Sequence, residues 1–288
     1  MAVLWISLLV LGATPDGGAA DAGMPAVAAE WAAQRTPRKG PALAVGGYSA
    51  GCLQGAAALP HSGTGYELLH LGRHRGFGHP DLVDYIRRLG AEVRKKKLGM
   101  VLVGDMSQVR GGPTPTGHRS HQTGLDADVG FAFPDWALRR HPTAQERETV
   151  MPPPVVDLTA GKLNERWGPR VAQLLEVAAS DPAVDRIFVN PIIKRELCAH
   201  APPNSAWLRK LRPWWGHHDH FHVRLRCPAG GDQCTSQEPL PPDDGCGKLA
   251  WWFSEDARKT SEKKKAEQAA GPPPLPARCR DVLVDSRP

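Results

Sequence analysis

Apolar residues recur at helical spacing from Pro80 onward. Leu82, Val83, Ile86, Leu89 and Val93 share one face, while Arg87, Arg88, Arg94, Lys95 and Lys96 take the other. Pro80 suits a first turn, where its missing N–H costs nothing, so the spacing predicts a helix opening there. Its basic face reads as solvated, with a patch for a polyanionic partner as the alternative. A second stripe, Val171, Leu174, Leu175 and Ala178, predicts a helix from Pro169 to Ala179 that stops at Asp181-Pro182. The apolar runs Met100–Val103 and Ile187–Val189 read as buried strands, and Asn190 as the N-cap of a helix starting at Pro191. Residues 30 to 80 read as loops and short strands. From about residue 255 the chain turns Lys-, Ala- and Pro-rich, which predicts a flexible tail until Cys279 ties it down.

Composition narrows the class. The 288 residues suffice for one large or two small domains, and 30 Gly with 28 Pro predict long ordered loops rather than a helical bundle. A hydrophobic fraction of 41% with 23% charged residues excludes global disorder and a polytopic membrane protein. The net charge of +6 favours a polyanion such as nucleic acid or an anionic cell wall. The short apolar run Val3 to Leu11, followed by an Ala-rich stretch, reads as a signal peptide within residues 1–29. That run is too short to cross a bilayer, and no cysteine follows it to carry a lipid anchor. The division expected is therefore a leader (1–29), one domain (30–254) and a tail (255–288). Six cysteines, Cys52, Cys198, Cys227, Cys234, Cys246 and Cys279, form no C-x-x-C and suit disulfides in an oxidising compartment. Their pairing stays open, although Cys227 and Cys234 bracket a Pro-Ala-Gly-Gly turn and could close locally.

Half of the twelve histidines fall in two short stretches. In the first, Gly117-His118-Arg119-Ser120-His121-Gln122-Thr123-Gly124-Leu125-Asp126-Ala127-Asp128, Gly124 can turn the chain into a strand. Asp126 and Asp128 then share one face and Leu125, Ala127 and Val129 the other, so His121 and Asp128 can meet across a turn. In the second, His220 to Arg226 alternates polar and apolar, which predicts a strand with one buried face and with His220 and His222 pointing the same way. Two imidazoles and a carboxylate, His121, Asp128 and His222, make a three-ligand zinc site with the fourth position open for water, the mark of a catalytic rather than a structural ion. Zinc there supplies hydroxide at neutral pH and polarises a carbonyl. His220, with His217 three residues before it, would serve as base and stabilise the charged intermediate. An ordinary pairing of Asp126 and Asp128 with a nearby arginine is the bland alternative. His218 and Asp219 read as bystanders, and His61, His70, His74, His79, His141 and His200 as structural or surface residues.

Gly117 to Asp128, together with His217-x-x-His220-x-His222-Val-Arg-Leu-Arg-Cys-Pro228, resembles the paired signatures of the bacterial penicillin-insensitive murein endopeptidases, within the lysostaphin and D-Ala-D-Ala metallopeptidase group. Phe77–Leu82, Val103–Met106, Arg186–Pro191, Trp207–Trp214 and Asp244–Gly247 are similar to that family too, and the likeness spans roughly residues 43 to 253. The resemblance implies a periplasmic zinc peptidase that cuts peptidoglycan crosslink peptides, typically the D-alanyl to meso-diaminopimelyl bond, with no nucleic-acid partner and no integral membrane segment after leader removal. It implies an α+β fold in which a small antiparallel sheet carries the zinc site, flanked by helices and long disulfide-tied loops. By position, His121, Asp128 and His222 match the zinc ligands and His220 the base. His118 and His217 match further active-site histidines, His118 as an additional metal contact. The implied bridges are Cys52–Cys279, Cys198–Cys246 and Cys227–Cys234. The likeness does not extend over Phe133 to Asn164, and the Lys-rich stretch near residue 260 is atypical.

Other readings compete. Gly47-Tyr48-Ser49-Ala50-Gly51 matches the G-x-S-x-G elbow of serine hydrolases, but too little chain precedes it to build the sheet such an elbow needs. Ser261-x-x-Lys264 matches a penicillin-binding pattern, lies in the tail and lacks partner motifs, so the enzyme should be indifferent to β-lactams. A His/Asp/His set can hold iron, for which an exported disulfide-rich chain is a poor setting. A non-catalytic, zinc-stabilised wall-binding module would need the same ligands but no base beside them.

Overall fold

The computed structural model describes residues 26–117, 119–132, 140–202, 205–269 and 273–284. Most of the expected leader and His118 lie outside the described residues. The main sheet holds β1 (Ser62–Gly63), β2 (Tyr66–Leu68), β3 (Val101–Val103), β4 (Asp126–Gly130), β5 (Val184–Val189), β6 (Leu211–Pro213) and β7 (His220–Leu225). Their order across the seven-stranded sheet is β6-β5-β7-β4-β3-β2-β1. The expected α+β class holds, but the sheet is neither small nor wholly antiparallel. β2 pairs with β3, and β5 with β6, in parallel. Parallel neighbours need a crossover, and a helix supplies each one: Pro80–Lys95 between β2 and β3, Pro191–His200 between β5 and β6.

Central position explains a second departure. β7 lies between β5 and β4, and its alternating pattern predicts one wet face, yet every residue from Phe221 to Leu225 is buried. The apolar face meets the core through Phe221, Val223 and Leu225. The polar face, with His222 and Arg224, is closed over by the loop that carries His121 and by neighbouring side chains.

The helices follow their patterns closely. Among α1 (Ala26–Ala32), α2 (Pro80–Lys95), α3 (Ala144–Thr149), α4 (Pro169–Ser180) and α5 (Pro191–His200), α2 buries all five of its expected apolar residues, plus Tyr85. The Tyr85 hydroxyl donates to the Ala178 carbonyl at 3.2 Å and ties α2 to α4. His79, expected to be structural, caps α2 by accepting the Asp81 N–H on Nδ1. Asn190 caps α5 through Ile192 N–H at 3.0 Å, as its position predicts.

The expected flexible tail is helical over most of its described length. α6 spans Glu255–Ala269 and α7 Arg278–Leu283. Ser254 Oγ accepts the Ala257 N–H, acidic residues open α6, and Glu255 pairs with Lys259, so a low-complexity composition here is also a helix-forming one. Cys279 and Val282 of α7 join Trp31, Val45 and Cys52 in a second apolar cluster. The disulfides are Cys52–Cys279, Cys198–Cys246 and Cys227–Cys234, the pairing the resemblance implies. No helix among the described residues is long and apolar enough to cross a membrane.

Lys194 of α5 is fully buried and donates to the Leu208 and Asp244 carbonyls at 2.7 and 2.6 Å. Burial, reinforced by Arg212, pushes its pKa down to about 8. The unfolded chain, with a lysine pKa of roughly 10.4, therefore binds more protons above pH 8, and this residue adds stability as pH rises through that window. We expect urea unfolding at pH 8 and 9.5 to show a rise in the wild type that Lys194→Met lacks.

Candidate metal centre

Strand pairing assembles the site. In the β4–β7 register His222 lies opposite Asp128 and Arg224 opposite Asp126, while on the other side of β7 His222 lies opposite Phe188. Residues nearly a hundred positions apart become cross-strand neighbours, and a one-residue slip would send them all to the other face. Asp128 is further fixed by its own main chain: its N–H donates to the Asp105 carbonyl at 3.0 Å and its carbonyl accepts from Gly104 at 2.8 Å. Burial alone would raise the Asp105 pKa, but Arg75 at 2.6 Å and Arg73 at 3.2 Å hold it below the ordinary range.

His121 arrives from a loop held at both ends. Gly124 sits at φ 69°, and a Cβ there would fall 2.4 Å from Leu53 Cδ2, so only glycine makes the turn into β4. His121 itself is left-handed at φ 68°, as is His217 at φ 50°, and such strain persists only where the surroundings over-determine it. Gln122 does part of this: its amide accepts from Gly51 N–H and donates to the Ser49 and Arg119 carbonyls.

Asp126 orients the imidazoles. Its main-chain carbonyl lies 3.2 Å from His121 Nδ1, and a carbonyl only accepts, so that nitrogen carries the proton and the Nε2 lone pair faces inward. Its carboxylate takes Arg224 Nε and Nη2 at 2.8 and 3.0 Å, His121 N–H at 3.1 Å and lies 3.3 Å from His222 Nε2. Burial would raise this carboxyl's pKa, but Arg224 and then His222 more than offset that and hold it far below the usual range. A permanently ionised acceptor at Nε2 leaves the His222 lone pair on Nδ1. The opposite reading of Asp126 and Asp128 as plain arginine partners thus describes Asp126 alone.

The remaining donors converge. His121 Nε2 is 3.5 Å from Asp128 Oδ2, and His222 Nδ1 is 3.1 Å from Asp128 Oδ1. Two ligands about 2.0 to 2.1 Å from a tetrahedral ion sit roughly 3.3 Å apart, and each of these two separations is close to that. His121, Asp126 and His222 also offer ligand atoms within 4.8 Å of one another. Asp126 is the poorer donor, because its oxygens are engaged by a guanidinium that would repel a cation. It suits the outer position that sets ring orientation and basicity. His118 lies outside the described residues, so its expected metal contact is without geometry here.

His220 and His217 border the donors. His220 Nε2 is 3.8 Å from Asp128 Oδ1, and its Nδ1 is 2.6 Å from Asp219 Oδ1. Burial would raise the Asp219 pKa, but the hydrogen bond from His220 keeps it lowered, so Asp219 holds Nδ1–H as an ionised partner. Sequence reading passed over Asp219; an acidic residue immediately before the strand histidine was the available signal. His217 Nδ1 lies 2.9 Å from the Trp215 carbonyl and is likewise protonated. Burial, then His220 and His222, pushes its pKa down to about 3, so it is a neutral acceptor at Nε2 and not the cation that would stabilise an oxyanion.

His217, Asp219, His220 and His222 line a cleft of about 590 Å³ whose walls include Ser49, Arg119, Phe188, Trp214 and Trp215. His61, His70, His74, His79, His141 and His200 do not line it. Ser49 does, but it lies between two antiparallel strands, Leu43–Gly47 and Ala50–Gln54, where a nucleophile elbow requires a strand followed by a helix. Ser261 and Lys264 lie on α6, with Lys264 Nζ 4.4 Å from the Trp214 ring centroid.

Two variants probe the orienting pair. Arg224→Ala strands a buried carboxylate and is expected to cost about 3 to 5 kcal/mol in chemical denaturation of the metal-free protein. Asp126→Asn is expected to lower zinc affinity roughly 10- to 100-fold by competitive chelator titration.

The family model described as penicillin-insensitive murein endopeptidase matches residues 44–284. A Klebsiella pneumoniae protein of that name is 44% identical over 261 residues, covering 89% of this chain and 91% of the relative. One from Salmonella paratyphi C is 41% identical over 261 residues, with the same coverage. One from Yersinia enterocolitica is 40% identical over 263 residues, covering 89% of this chain and 90% of the relative. With a match across nearly the whole domain, α7 included, the chain belongs to the penicillin-insensitive murein endopeptidase family.

Proposed function

We propose that this murein endopeptidase is a zinc enzyme hydrolysing the D-alanyl–meso-diaminopimelyl crosslink of peptidoglycan, exported to the periplasm by a leader within residues 1–29. The observation that carries the reading is that His121 Nε2 and His222 Nδ1 lie 3.5 and 3.1 Å from the Asp128 carboxylate, with both rings oriented by Asp126. His121, Asp128 and His222 are its proposed ligands, and His118 is kept as a further contact on the resemblance alone. Held by these residues, a zinc ion would lower the pKa of water and polarise the scissile carbonyl.

The chain's own residues handle the protons. His220, with Nδ1–H held by Asp219, presents Nε2 as the acceptor for the proton of the attacking water and returns it to the leaving amine of diaminopimelate. Neutral His217, 5.1 Å from the His220 ring, offers a second acceptor that positions the water or the amine N–H. Asp219 acts through His220 as a positioning residue. Three disulfides suit an oxidising compartment, and a murein substrate supports a location at the wall.

The presence of a histidine–carboxylate pair beside the ligands favours turnover over a zinc-stabilised wall-binding module, which needs no base. Purified protein is expected to convert crosslinked muropeptides to monomers by mass spectrometry, with activity abolished by chelator and restored by zinc. Benzylpenicillin is expected to leave it unchanged, since no acyl-enzyme serine takes part. His220→Ala is expected to keep near-stoichiometric zinc while losing roughly 10² to 10⁴-fold in kcat. Loss of zinc in that variant would reassign His220 as a ligand, and undiminished cutting after complete metal removal would sink the mechanism.

A further inference from the structure

The cleft does not end at the histidines. Trp214 and Trp215, which line it beside His217 and His220, continue outward into Trp251 and Trp252. Ring centroids are 4.8 Å apart for Trp215–Trp252, 5.1 Å for Trp251–Trp252 and 6.2 Å for Trp215–Trp251. The 3-10 turns Cys246–Phe253 that carry the outer pair are fastened to α5 by Cys198–Cys246. Lys264 of α6 stands over Trp214 at 4.4 Å and Trp215 at 5.5 Å, and Arg195 of α5 over Phe253 at 4.4 Å.

This aromatic ridge is held in place on one side and open on the other. Trp251 is 42% exposed and Phe253 44% exposed, although burying such rings is worth about 1.5 to 3 kcal/mol apiece. A contiguous exposed aromatic surface continuous with a cleft marks a ligand surface. The ligand's chemistry follows from what murein carries next to its crosslink. Alanyl methyls and diaminopimelyl carboxylates offer no flat apolar face of ring size. The glycan strand to which every stem peptide is attached does: a pyranose presents a plane of C–H groups rimmed by hydroxyls, matching an indole face flanked by a polar N–H. A ridge pre-ordered by a disulfide and three cation–π contacts loses little freedom on binding.

We propose that the surface formed by Trp215, Trp251 and Trp252 is a glycan subsite, stacking a sugar ring of the strand while the crosslink enters the histidine-lined cleft. It rests on the murein reading above. The full-length enzyme, Trp251→Ala and Trp251→Phe are compared on three probes: peptide-free glycan strands, a sugar-free crosslinked peptide dimer, and intact sacculi. Trp251→Ala is expected to weaken glycan-strand binding and slow release from sacculi by roughly 5- to 10-fold, while kcat/KM on the sugar-free dimer is unchanged and Trp251→Phe keeps most of both. The proposal is overturned if the wild type does not bind glycan strands, if Trp251→Ala slows the peptide dimer as much as the sacculi, or if sedimentation shows the variant dissociating a dimer through this face. Failure of the wild type to cut the sugar-free dimer would instead strike the murein reading, with glycan-strand binding still scoring the ridge on its own.

Discussion

One buried charge pair governs the centre. Asp126 has no solvent exposure and receives Arg224 through two nitrogens, on strands β4 and β7 where the two residues face each other in register. A charge so placed tolerates no slip, because moving either strand by one residue would leave a carboxylate in the apolar core. The same pairing that neutralises Asp126 sets His222 opposite Asp128 two positions along. Register, ring orientation and donor convergence are therefore consequences of one constraint.

The division of labour between the two aspartates follows. They sit two residues apart on one face of β4, as chemically identical groups, and environment alone separates them. Asp126 meets a guanidinium, a main-chain N–H and an imidazole, so it stays ionised and spends its lone pairs on positioning. Asp128 faces His121, His220 and His222. Likewise His217 and His220 are three residues apart with rings 5.1 Å apart, yet one bonds a main-chain carbonyl and the other a carboxylate. A neutral acceptor and an imidazole backed by a carboxylate result from those different partners.

Distance from the chemistry does not mean irrelevance. The disulfide Cys52–Cys279 ties α7 to the strand Ala50–Gln54, whose neighbour Ser49 and own Gly51 are gripped by Gln122, the residue after His121. Cys198–Cys246 fastens the tryptophan-bearing turns against α5, and α6 leans its Lys264 on the cleft wall. Long Gly- and Pro-rich loops thus act as rigid parts because covalent and aromatic contacts hold them.

Much of this is written locally in the chain. The five apolar positions of α2, the Asn190 cap, the Gly124 turn and the extended run of β7 each depend on neighbours within a few residues, and each is present as its pattern predicts. Clustered histidines likewise mark the cleft, which His217, His218, His220 and His222 line. What depended on contacts far apart in sequence was decided only by tertiary structure. The seven-stranded mixed sheet, the burial of both faces of β7, the claim of Arg224 on Asp126 and the hand of Asp219 on His220 belong to this class. The α6 helix is the instructive exception: its cap and charge pairs are local, but composition masked them. Periodicity tells which side of a strand is polar, whereas the charge a polar residue keeps depends on what the fold sets against it.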